Sequence, residues 1–289
     1  VIMNLTVKIS PIATLVGAML LTACGQNSNT TTTAATADTT PSTSTTGDTA
    51  TTSDIVARFN SGGVWTVGTE GTYPPFTYHD ETGKLTGYDV EVTRAIADKL
   101  GVTVDFKETQ WDSMMVGLDT NRFDSVANQV SLNTPERQAK YVKSEPYAWS
   151  NAVVVAPENI TLTSWEDIKG KKSAQSLTSN YGEMAQKYGA EVIGVEGLAQ
   201  TLALVNQGRA DLTINDNLAV LEYLKNKPNS GLEIKLHGDD SEKRGAGIIF
   251  RKGEEEAAAK VSDAMKALQA DGTLTRLSEQ FFGADISQK

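Results

Sequence analysis

The chain has 289 residues, a formal net charge of −10 at pH 7 and a single cysteine. Such an acidic chain disfavours binding to nucleic acid or to an anionic surface, and one cysteine cannot form an intrachain disulfide. The stability of the fold must therefore come from a hydrophobic core.

The N-terminal segment carries the features of an exported lipoprotein. An apolar run at residues 9–21 is shorter than the roughly 20 residues of a membrane span, and it predicts an export signal over residues 1–23. The sequence LTAC that ends this region resembles the lipobox of bacterial lipoproteins, in which the cysteine sulfur, here that of Cys24, is lipidated. Residues 24–53 are rich in threonine and poor in large apolar side chains, which is typical of a flexible tether. We therefore expect an extracytoplasmic, lipid-anchored protein, with the outer face of a Gram-positive membrane favoured over a periplasm.

Two segments of the chain repeat one plan, GLDTNRFDSVANQ at 117–129 and LVNQGRADLTIND at 204–216. Each runs from the end of a helix through Arg-x-Asp into a short apolar strand. Asn121 and Gly208 precede the arginines and suit a left-handed backbone. Each strand ends in a polar pair, and ligands meet open α/β sheets at such strand ends. The repeat therefore predicts two α/β lobes with a ligand between them.

The elements around these segments fit two lobes. A helix is predicted from Asp89, as N-cap, to Leu100, with Gly101 as its end. Strands that alternate with helices predict parallel sheets.

Two extended runs, at residues 148–157 and 245–250, are predicted to cross between the lobes as a two-strand hinge. This assigns residues 54–148 together with 248–289 to lobe 1, and residues 149–247 to lobe 2 and the hinge strands.

The sequence offers little for catalysis. Its two histidines, His79 and His237, have no His or Cys partner at metal-ligand spacing. Neither a nucleophile elbow nor a phosphate-binding or dinucleotide-binding loop follows a predicted strand. We therefore expect no enzyme activity, no metal and no cofactor.

Two charged residues indicate a zwitterionic ligand instead. Pro135 suits the first turn of a helix, and Arg137 beside the backbone amides of that turn could receive a carboxylate. Asp216, in the other lobe, could receive an ammonium group. The alternatives are that Arg137 is a surface charge and that Asp216 caps a helix. Together the two residues predict an α-amino acid as ligand.

Four segments resemble the bacterial extracellular solute-binding proteins of family 3, which deliver amino acids to ABC importers. They are GTEGTYPPFTYHDETGKLTGYDVEV, FKETQWDSMMVGL, RFDSVANQVSLNTPER and ADGTLTRLSEQFFG, within a resemblance that covers Val64 to Asp285. The resemblance implies an α/β protein with the type II periplasmic-binding-protein fold, two α/β lobes joined by a two-strand hinge. It also implies a membrane permease as partner, and we expect a monomer.

The resemblance also assigns binding residues. It places an aromatic pair, Tyr73 and Trp111, over the ligand side chain, with Phe76 in the core, and Glu70 near the distal end of the ligand. The carboxylate site comprises Asn128, Gln129, Ser131 and Arg137, and lobe 2 contributes Ser179, Asn180 and Asp216. The chain departs from the family pattern twice. One extra residue lies between Asp124 and Arg137, which leaves open whether Ser131, Asn133 or Thr134 supplies the contact to the ligand carboxylate. In lobe 2, Thr178 replaces a usual glycine.

Several motifs look most like the cystine-binding branch of the family. Cystine has an amino-acid head at each end, and the carboxylate of Glu70 would suit its distal ammonium. Arginine and histidine, whose tips are cationic, remain alternatives, as does glutamine. An adhesin or sensor, and an enzyme on the same fold, are the other classes considered.

Overall fold

The computed structural model describes residues 53–289, which fold into two α/β lobes. The predicted export signal, the lipidation site at Cys24 and the tether up to residue 52 lie outside the described residues. Ser53, the last residue of the predicted tether, caps the first helix by accepting a 3.2 Å hydrogen bond from the amide of Val56. Within residues 53–289, no helix is both long enough and apolar enough to cross a membrane.

The elements are given in chain order. The first part of the chain forms α1 (Asp54–Asn60), β1 (Val64–Thr69), β2 (Thr72–Tyr73), β3 (Thr77–His79), β4 (Leu85–Thr86), α2 (Tyr88–Leu100), β5 (Thr103–Glu108), α3 (Trp111–Asp119), β6 (Ser125–Val126), α4 (Pro135–Lys140), β7 (Tyr141–Lys143) and β8 (Ala148–Ser150). The second part forms β9 (Ala152–Pro157), β10 (Lys172–Gln175), α5 (Asn180–Lys187), β11 (Glu191–Gly194), α6 (Leu198–Asn206), β12 (Thr213–Asp216), α7 (Asn217–Asn226), β13 (Leu232–His237), β14 (Arg244–Ala246), β15 (Ile249–Arg251), α8 (Glu255–Ala270) and α9 (Thr273–Phe282). Short 3-10 helices lie at Trp165–Ile168 and Asp240–Glu242.

Each lobe is built on one main sheet. In lobe 1 the strand order is β5-β1-β6-β15-β7, with β1 parallel to β5 and β6 and with β15 antiparallel to both of its neighbours. In lobe 2, β9 lies between β12 and β13 and is antiparallel to both, while β10 and β11 are parallel. A single bridge between Ser173 and Leu212 joins the parallel pair to the chain entering β12.

The prediction of purely parallel sheets is therefore wrong for one strand in each lobe. Strand β9 follows the first passage of the chain into lobe 2, and β15 follows its return to lobe 1. Each strand runs antiparallel to the strands beside it. The alternation of helices and strands along the sequence does not indicate this reversal of direction.

The hinge consists of β8 and β14. These strands pair antiparallel, with Ser150 opposite Arg244 and Ala148 opposite Ala246. Because β8 leads directly into β9 of lobe 2 and β14 leads back to β15 of lobe 1, the two lobes are joined by two adjacent strands. This is the two-strand hinge of the predicted fold class.

The repeated Arg-x-Asp motif forms the same contacts in both lobes. The carboxylate of Asp124 accepts a 2.8 Å hydrogen bond from the amide of Thr66 in β1, and that of Asp211 accepts a 2.7 Å bond from the amide of Lys172 in β10. Asn121 and Gly208, which precede the two motifs, have φ values of 59° and 69°. The repeat therefore corresponds to equivalent turns that connect a helix to the sheet in each lobe.

The start of α2 differs from the prediction. The helix begins at Tyr88 with Gly87 as its N-cap, and Asp89 is buried in the first turn. Its Oδ2 accepts a 2.5 Å hydrogen bond from the amide of Gln129, whose φ is 51°. Asp89 therefore holds the chain beyond β6 and does not cap its own helix. The helix ends as predicted, with Gly101 left-handed at φ 68°.

The C-terminal helices complete the core of lobe 1. Helix α8 packs on α1, α2 and α9, and its buried side chains include Val261, Met265 and Leu268. The amide of Trp149, in hinge strand β8, donates a 2.8 Å hydrogen bond to the carbonyl of Ile286. The end of the chain is thus held against the hinge.

Candidate functional site

A cavity of about 480 Å³, part of it open to solvent, lies between the lobes. Lobe 1 lines it from the ends of β1 and β6 and the start of α3, with Glu70, Tyr73, Trp111, Asn128 and Gln129. Lobe 2 lines it mainly from the ends of β10 and β12 and the starts of α5 and α6, with Ser176, Ser179, Asn180, Tyr181, Gly197, Leu198 and Asn215. The position at strand ends is that of a small-molecule site in an open α/β protein.

The lobes contact each other around this cavity. The hydroxyl of Tyr73 donates a 2.6 Å hydrogen bond to Oδ1 of Asn215. The amide and the hydroxyl of Thr178 donate to Oδ1 of Asp112 at 2.9 and 2.7 Å, and the amide of Leu177 donates to its Oδ2 at 3.3 Å. These bonds join lobe 1 to lobe 2, so the chain is in a closed conformation.

The predicted aromatic pair lines the cavity from lobe 1. Tyr73 precedes two prolines, which cannot donate to a sheet ladder and so favour a shaped loop after β2. Its ring stacks on Phe76 at 5.6 Å, and Phe76 is fully buried against Phe282, as the prediction of a core position requires. Trp111 is the first residue of α3, and its indole Nε1 has no hydrogen-bond partner among residues 53–289.

Arg137 is buried beside this pair but does not line the cavity. Its guanidinium lies 5.6 Å from the centre of the Trp111 ring, and Nη2 donates a 3.1 Å hydrogen bond to the carbonyl of Thr178 in lobe 2. Nη1 donates to the carbonyl of Ser131 at 3.3 Å. Arg137 is therefore not a surface charge; it places a cation at the junction of the lobes.

Asp216 is fully buried at the end of β12 and also does not line the cavity. Oδ1 caps α7 by accepting from the amides of Leu218 at 2.9 Å and Ala219 at 3.4 Å, which is the alternative role considered from the sequence. Oδ2 accepts from the hydroxyls of Ser150 and, at 3.5 Å, Tyr181. Burial raises the pKa of Asp216, and these hydrogen bonds oppose the increase.

Tyr181 lies near both charged residues. Burial raises the pKa of its phenol well above the ordinary value, the charge of Asp216 raises it further, and the charges of Arg244 and, less strongly, Arg137 lower it. The charges of Arg137 in lobe 1 and Asp216 in lobe 2 thus both act on this phenol, and Asp216 also contacts its hydroxyl directly. Tyr181 was not among the binding residues predicted from the sequence, although it follows directly after Ser179 and Asn180.

The start of α5 contributes the lobe 2 residues Ser179 and Asn180. Ser179 is the N-cap: its hydroxyl accepts a 3.0 Å bond from the amide of Gly182 and donates to the carbonyl of Ser176 at 2.8 Å. Asn180 is the first helical residue, and both residues line the cavity. Thr178, just before the cap, supplies the hydroxyl that contacts Asp112, a contact that glycine could not make.

Glu70 and Asn128 form one hydrogen-bonded unit. The side-chain amide of Asn128 donates to Oε2 of Glu70 at 2.6 Å, and its oxygen accepts from the amide of Glu70 at 2.8 Å. Burial raises the pKa of Glu70 to about 7; the bond from Asn128 opposes this, and the charges of Glu196 and Asp112 add to it. This side of the cavity therefore has an excess of negative charge. Glu196 and Asp112 were not among the binding residues predicted from the sequence.

Gln129 connects the cavity to the hinge. Its Nε2 donates a 3.3 Å hydrogen bond to Oγ of Ser150. The hydroxyl of Ser150 in turn donates a hydrogen bond to Oδ2 of Asp216. Its Oε1 is buried and has no partner within the described chain. Gln129 therefore presents a free acceptor close to the Asp216 carboxylate.

Ser131, Asn133 and Thr134, the three candidates for the contact to the ligand carboxylate, do not line the cavity. The hydroxyl of Ser131 donates to Oδ1 of Asn133 at 3.2 Å. Thr134 caps α4 by accepting from the amide of Arg137 at 3.3 Å. In this conformation all three side chains form hydrogen bonds within the segment that positions Arg137.

Comparisons with known proteins agree with this architecture. The family model for bacterial extracellular solute-binding proteins, family 3, matches residues 65–284. The L-cystine-binding protein TcyA of Bacillus subtilis is 52% identical over 237 residues, which are 81% of this chain and 87% of TcyA. A probable amino-acid ABC transporter-binding protein of Haemophilus influenzae is 52% identical over 223 residues, 77% of this chain and 86% of its own.

Two solved structures bear on the conformation. The L-cystine solute receptor of Neisseria gonorrhoeae, in its unliganded open conformation, is 61% identical, covers 82% of this chain and 100% of its own, and has a TM-score of 0.57. An ancestral arginine-binding protein bound to arginine is only 34% identical, covers 76% and 99%, and has a TM-score of 0.71. The better superposition belongs to the ligand-bound relative, which is consistent with the inter-lobe hydrogen bonds seen here.

The family model spans nearly the whole described chain, and relatives at 52% identity cover most of it. The chain therefore belongs to the bacterial extracellular solute-binding proteins, family 3.

Proposed function

We propose that this protein captures L-cystine between its lobes and delivers it to the membrane permease of an ABC importer. The observation that carries the proposal is the cavity between the closed lobes, where two aromatic side chains lie close to the buried guanidinium of Arg137, the half-buried carboxylate of Glu70 and the buried carboxylate of Asp216. The relative named L-cystine-binding protein supports this choice of amino acid.

The carboxylate of one head of the ligand is proposed to bind where Arg137 meets α5. The guanidinium donates to the carbonyl of Thr178, directly before the N-cap Ser179, so it lies beside the start of the helix. The first amides of a helix and a guanidinium both favour a negative charge. Asn180 adds a polar side chain at the same wall, and Ser131 positions Arg137 through its carbonyl.

The ammonium of this head is proposed to bind at Gln129 and Asp216. Oε1 of Gln129 is a buried acceptor with no partner in the described chain, and Oδ2 of Asp216 is a buried carboxylate oxygen that accepts from the hydroxyls of Ser150 and Tyr181. A buried carboxylate without a cation is costly, and an ammonium would offset that cost. The cap of α7 uses the other oxygen, Oδ1, and can persist in the complex.

The second head of cystine is proposed to lie towards Glu70. The pKa of this carboxyl is about 7 because it is buried beside Glu196 and Asp112, and a ligand ammonium would favour its ionised form. Tyr73 and Trp111 would enclose the disulfide and methylene groups between the two heads. The same negative region is the specific observation that favours a second candidate, a cationic amino acid such as arginine or histidine.

Capture is proposed to proceed by closure. Lobe 1 carries Arg137, Tyr73 and Trp111, and binds the amino acid first. The α5 start and Asp216 then engage from lobe 2, so only the closed conformation makes both sets of contacts. A ligand that binds the closed form better shifts an existing equilibrium towards it.

The location of the protein is also part of the proposal. We propose that the chain acts as a monomer, anchored to the outer face of a Gram-positive membrane through a lipid on Cys24, with residues 24–53 as the tether. The lobes would reach the permease from this anchor, and the ATPase of the importer would supply the energy for transport.

Isothermal titration tests the ligand. The chain without its export signal is titrated under non-reducing conditions with L-cystine, L-arginine, L-histidine and L-glutamine. We expect micromolar or tighter binding of L-cystine and a rise in melting temperature, since a ligand at 100 times its Kd stabilises the folded state by about 2.7 kcal/mol. Tight binding of arginine with none of cystine would replace cystine by the cationic candidate; binding of no amino acid would overturn the function.

A further inference from the structure

We propose that Val116 and Leu177 form one docking patch, present only in the closed conformation, for the extracytoplasmic surface of the importer's membrane subunit. The proposal rests on the proposed function. It identifies the residues by which the permease would recognise the closed chain.

Both side chains are exposed although they are large and apolar. In residues 53–289 the exposed large apolar side chains are Val64, Val116, Leu177 and Leu221. Val116 is 60% exposed and Leu177 61% exposed, more than the other two. Single exposed apolar residues are common, but neighbouring ones indicate an interaction surface.

The two residues belong to different lobes, and Asp112 connects the segments that carry them. Val116 follows Asp112 by four residues in α3, so their side chains share one helix face, about 6 Å apart along the axis. Asp112 accepts hydrogen bonds from the amides of Leu177 and Thr178. When the lobes separate, these bonds break and the two apolar side chains move apart.

The position of Leu177 is built into lobe 2. Its side chain lies over Gly194, at the end of β11, so closely that a Cβ at Gly194 would stand 2.8 Å from Cγ of Leu177. The side chain of Leu177 thus packs against the backbone of lobe 2 at Gly194 and still presents most of its surface to solvent.

The surroundings of the patch define the chemistry of the partner. Asp112 and Glu196 are adjacent, because the amide of Asp112 lies 3.4 Å from both carboxylate oxygens of Glu196. The chain as a whole carries a net charge of −10. A complementary surface would offer an apolar side chain flanked by lysine or arginine.

The location of the patch favours the membrane subunit as its occupant. Trp111 precedes Asp112 and lines the cavity, as does Ser176 before Leu177. The patch thus borders the cavity from which the ligand must pass to the permease. A partner that contacts both residues at once binds the closed, loaded chain in preference to the open one.

The test uses the full chain reconstituted with the membrane and ATPase subunits of its importer. Val116→Ser with Leu177→Ser is compared with Val64→Ser with Leu221→Ser, a control that changes one valine on lobe 1 and one leucine on lobe 2, 46% and 52% exposed. ATPase activity is measured against chain concentration at saturating L-cystine. We expect the patch variant to need about tenfold more chain for half-maximal activity, from the lost apolar burial, and the control to match wild type.

Calorimetry distinguishes a failure of the docking patch from a failure of the proposed function. Both double variants are expected to bind L-cystine within about twofold of wild type, because all four changes are at the surface. A wild-type chain that binds no amino acid overturns the proposed function. A patch variant that binds L-cystine and stimulates ATPase activity like wild type overturns only the docking patch. Light scattering that shows the patch joining two copies of this chain would also overturn only the docking patch.

Discussion

The hydroxyl of Tyr73 in lobe 1 donates a 2.6 Å hydrogen bond to Oδ1 of Asn215 in lobe 2, across the candidate site. An aromatic wall of the cavity is therefore also a direct link between the lobes. The same oxygen of Asn215 accepts from the amide of Asp216 at 2.8 Å, so it remains satisfied when the lobes open.

Tyr73→Phe is expected to weaken ligand binding by about twofold to tenfold. The change removes one neutral hydrogen bond, worth about 0.5–1.5 kcal/mol, and leaves the ring in place. Because this bond forms only on closure, the effect should appear in the dissociation rate, measured by stopped flow. Tyr78→Phe, a half-buried tyrosine of β3, is the control; equal dissociation rates for all three chains would contradict a role of the bond in closure.

Arg137→Ala is expected to lower affinity by about tenfold to a hundredfold. A charge-assisted hydrogen bond to a carboxylate contributes about 1.5–3 kcal/mol. Arg137→Lys should recover only part of this loss, because an ammonium cannot form the paired contacts of a guanidinium. Lys140→Ala, which removes an exposed cation of the same helix, should leave binding unchanged in titration calorimetry. Wild-type affinity in Arg137→Ala would remove this residue from the carboxylate site.

Asp216→Asn is expected to lower affinity at least tenfold without loss of the fold. Asparagine is as good an N-cap as aspartate, so the amides of Leu218 and Ala219 keep their acceptor. The ammonium of the ligand loses its ionic partner. Binding is followed by calorimetry and the fold by thermal unfolding without ligand, with Asp239→Asn, an exposed cap in lobe 2, as control. Undiminished binding would show that Asp216 acts only as a cap.

The architecture was largely predictable because it follows from local patterns and a repeated motif. Arg-x-Asp recurs with Asn121 or Gly208 before it, and both copies form the same turn. The extended runs that leave and re-enter lobe 1 predicted the hinge pair β8 and β14. The direction of β9 and β15 was not predictable from helix–strand alternation, because it depends on which lobe the chain has just left.

Seven of the ten residues assigned through the family resemblance line the cavity, whereas Ser131, Arg137 and Asp216 do not. The hydrogen-bond network among these residues was not predictable. The contacts of Asp216 with Ser150, and of Asp112 with Thr178, join residues 66 positions apart and have no local signature. The charge of Asp216 could therefore be identified from the sequence, but the hydrogen-bond partners of Asp216 and Asp112 could not.

Ligand binding is expected to weaken as the pH falls below about 7. The pKa of Glu70 is about 7 in the ligand-free protein, raised by burial and by the nearby charges of Glu196 and Asp112. If a ligand ammonium lowers this pKa, binding below pH 7 must release a proton, and affinity falls by up to tenfold per pH unit. Titrations between pH 5.5 and 8 measure the slope. Glu70→Gln should flatten it and Glu136→Gln, an exposed change, should not; an unchanged slope in Glu70→Gln would place the cation elsewhere.

The stability of the ligand-free chain is expected to decrease between about pH 4 and pH 7, in part through Asp89. Burial raises the pKa of this carboxyl to about 7, while the amide of Gln129 opposes the rise. The folded protein therefore keeps a proton that the unfolded chain loses near pH 3.8, so this contribution is complete below that value and is lost as the pH rises through 7. The sequence predicted Asp89 as the N-cap of its helix; a helix start favours the ionised carboxylate and so would give the opposite sign. Urea unfolding at pH 5.5 and pH 8 should show a smaller difference for Asp89→Asn than for wild type, since asparagine can still accept from the Gln129 amide; equal differences in the two chains would contradict the assignment.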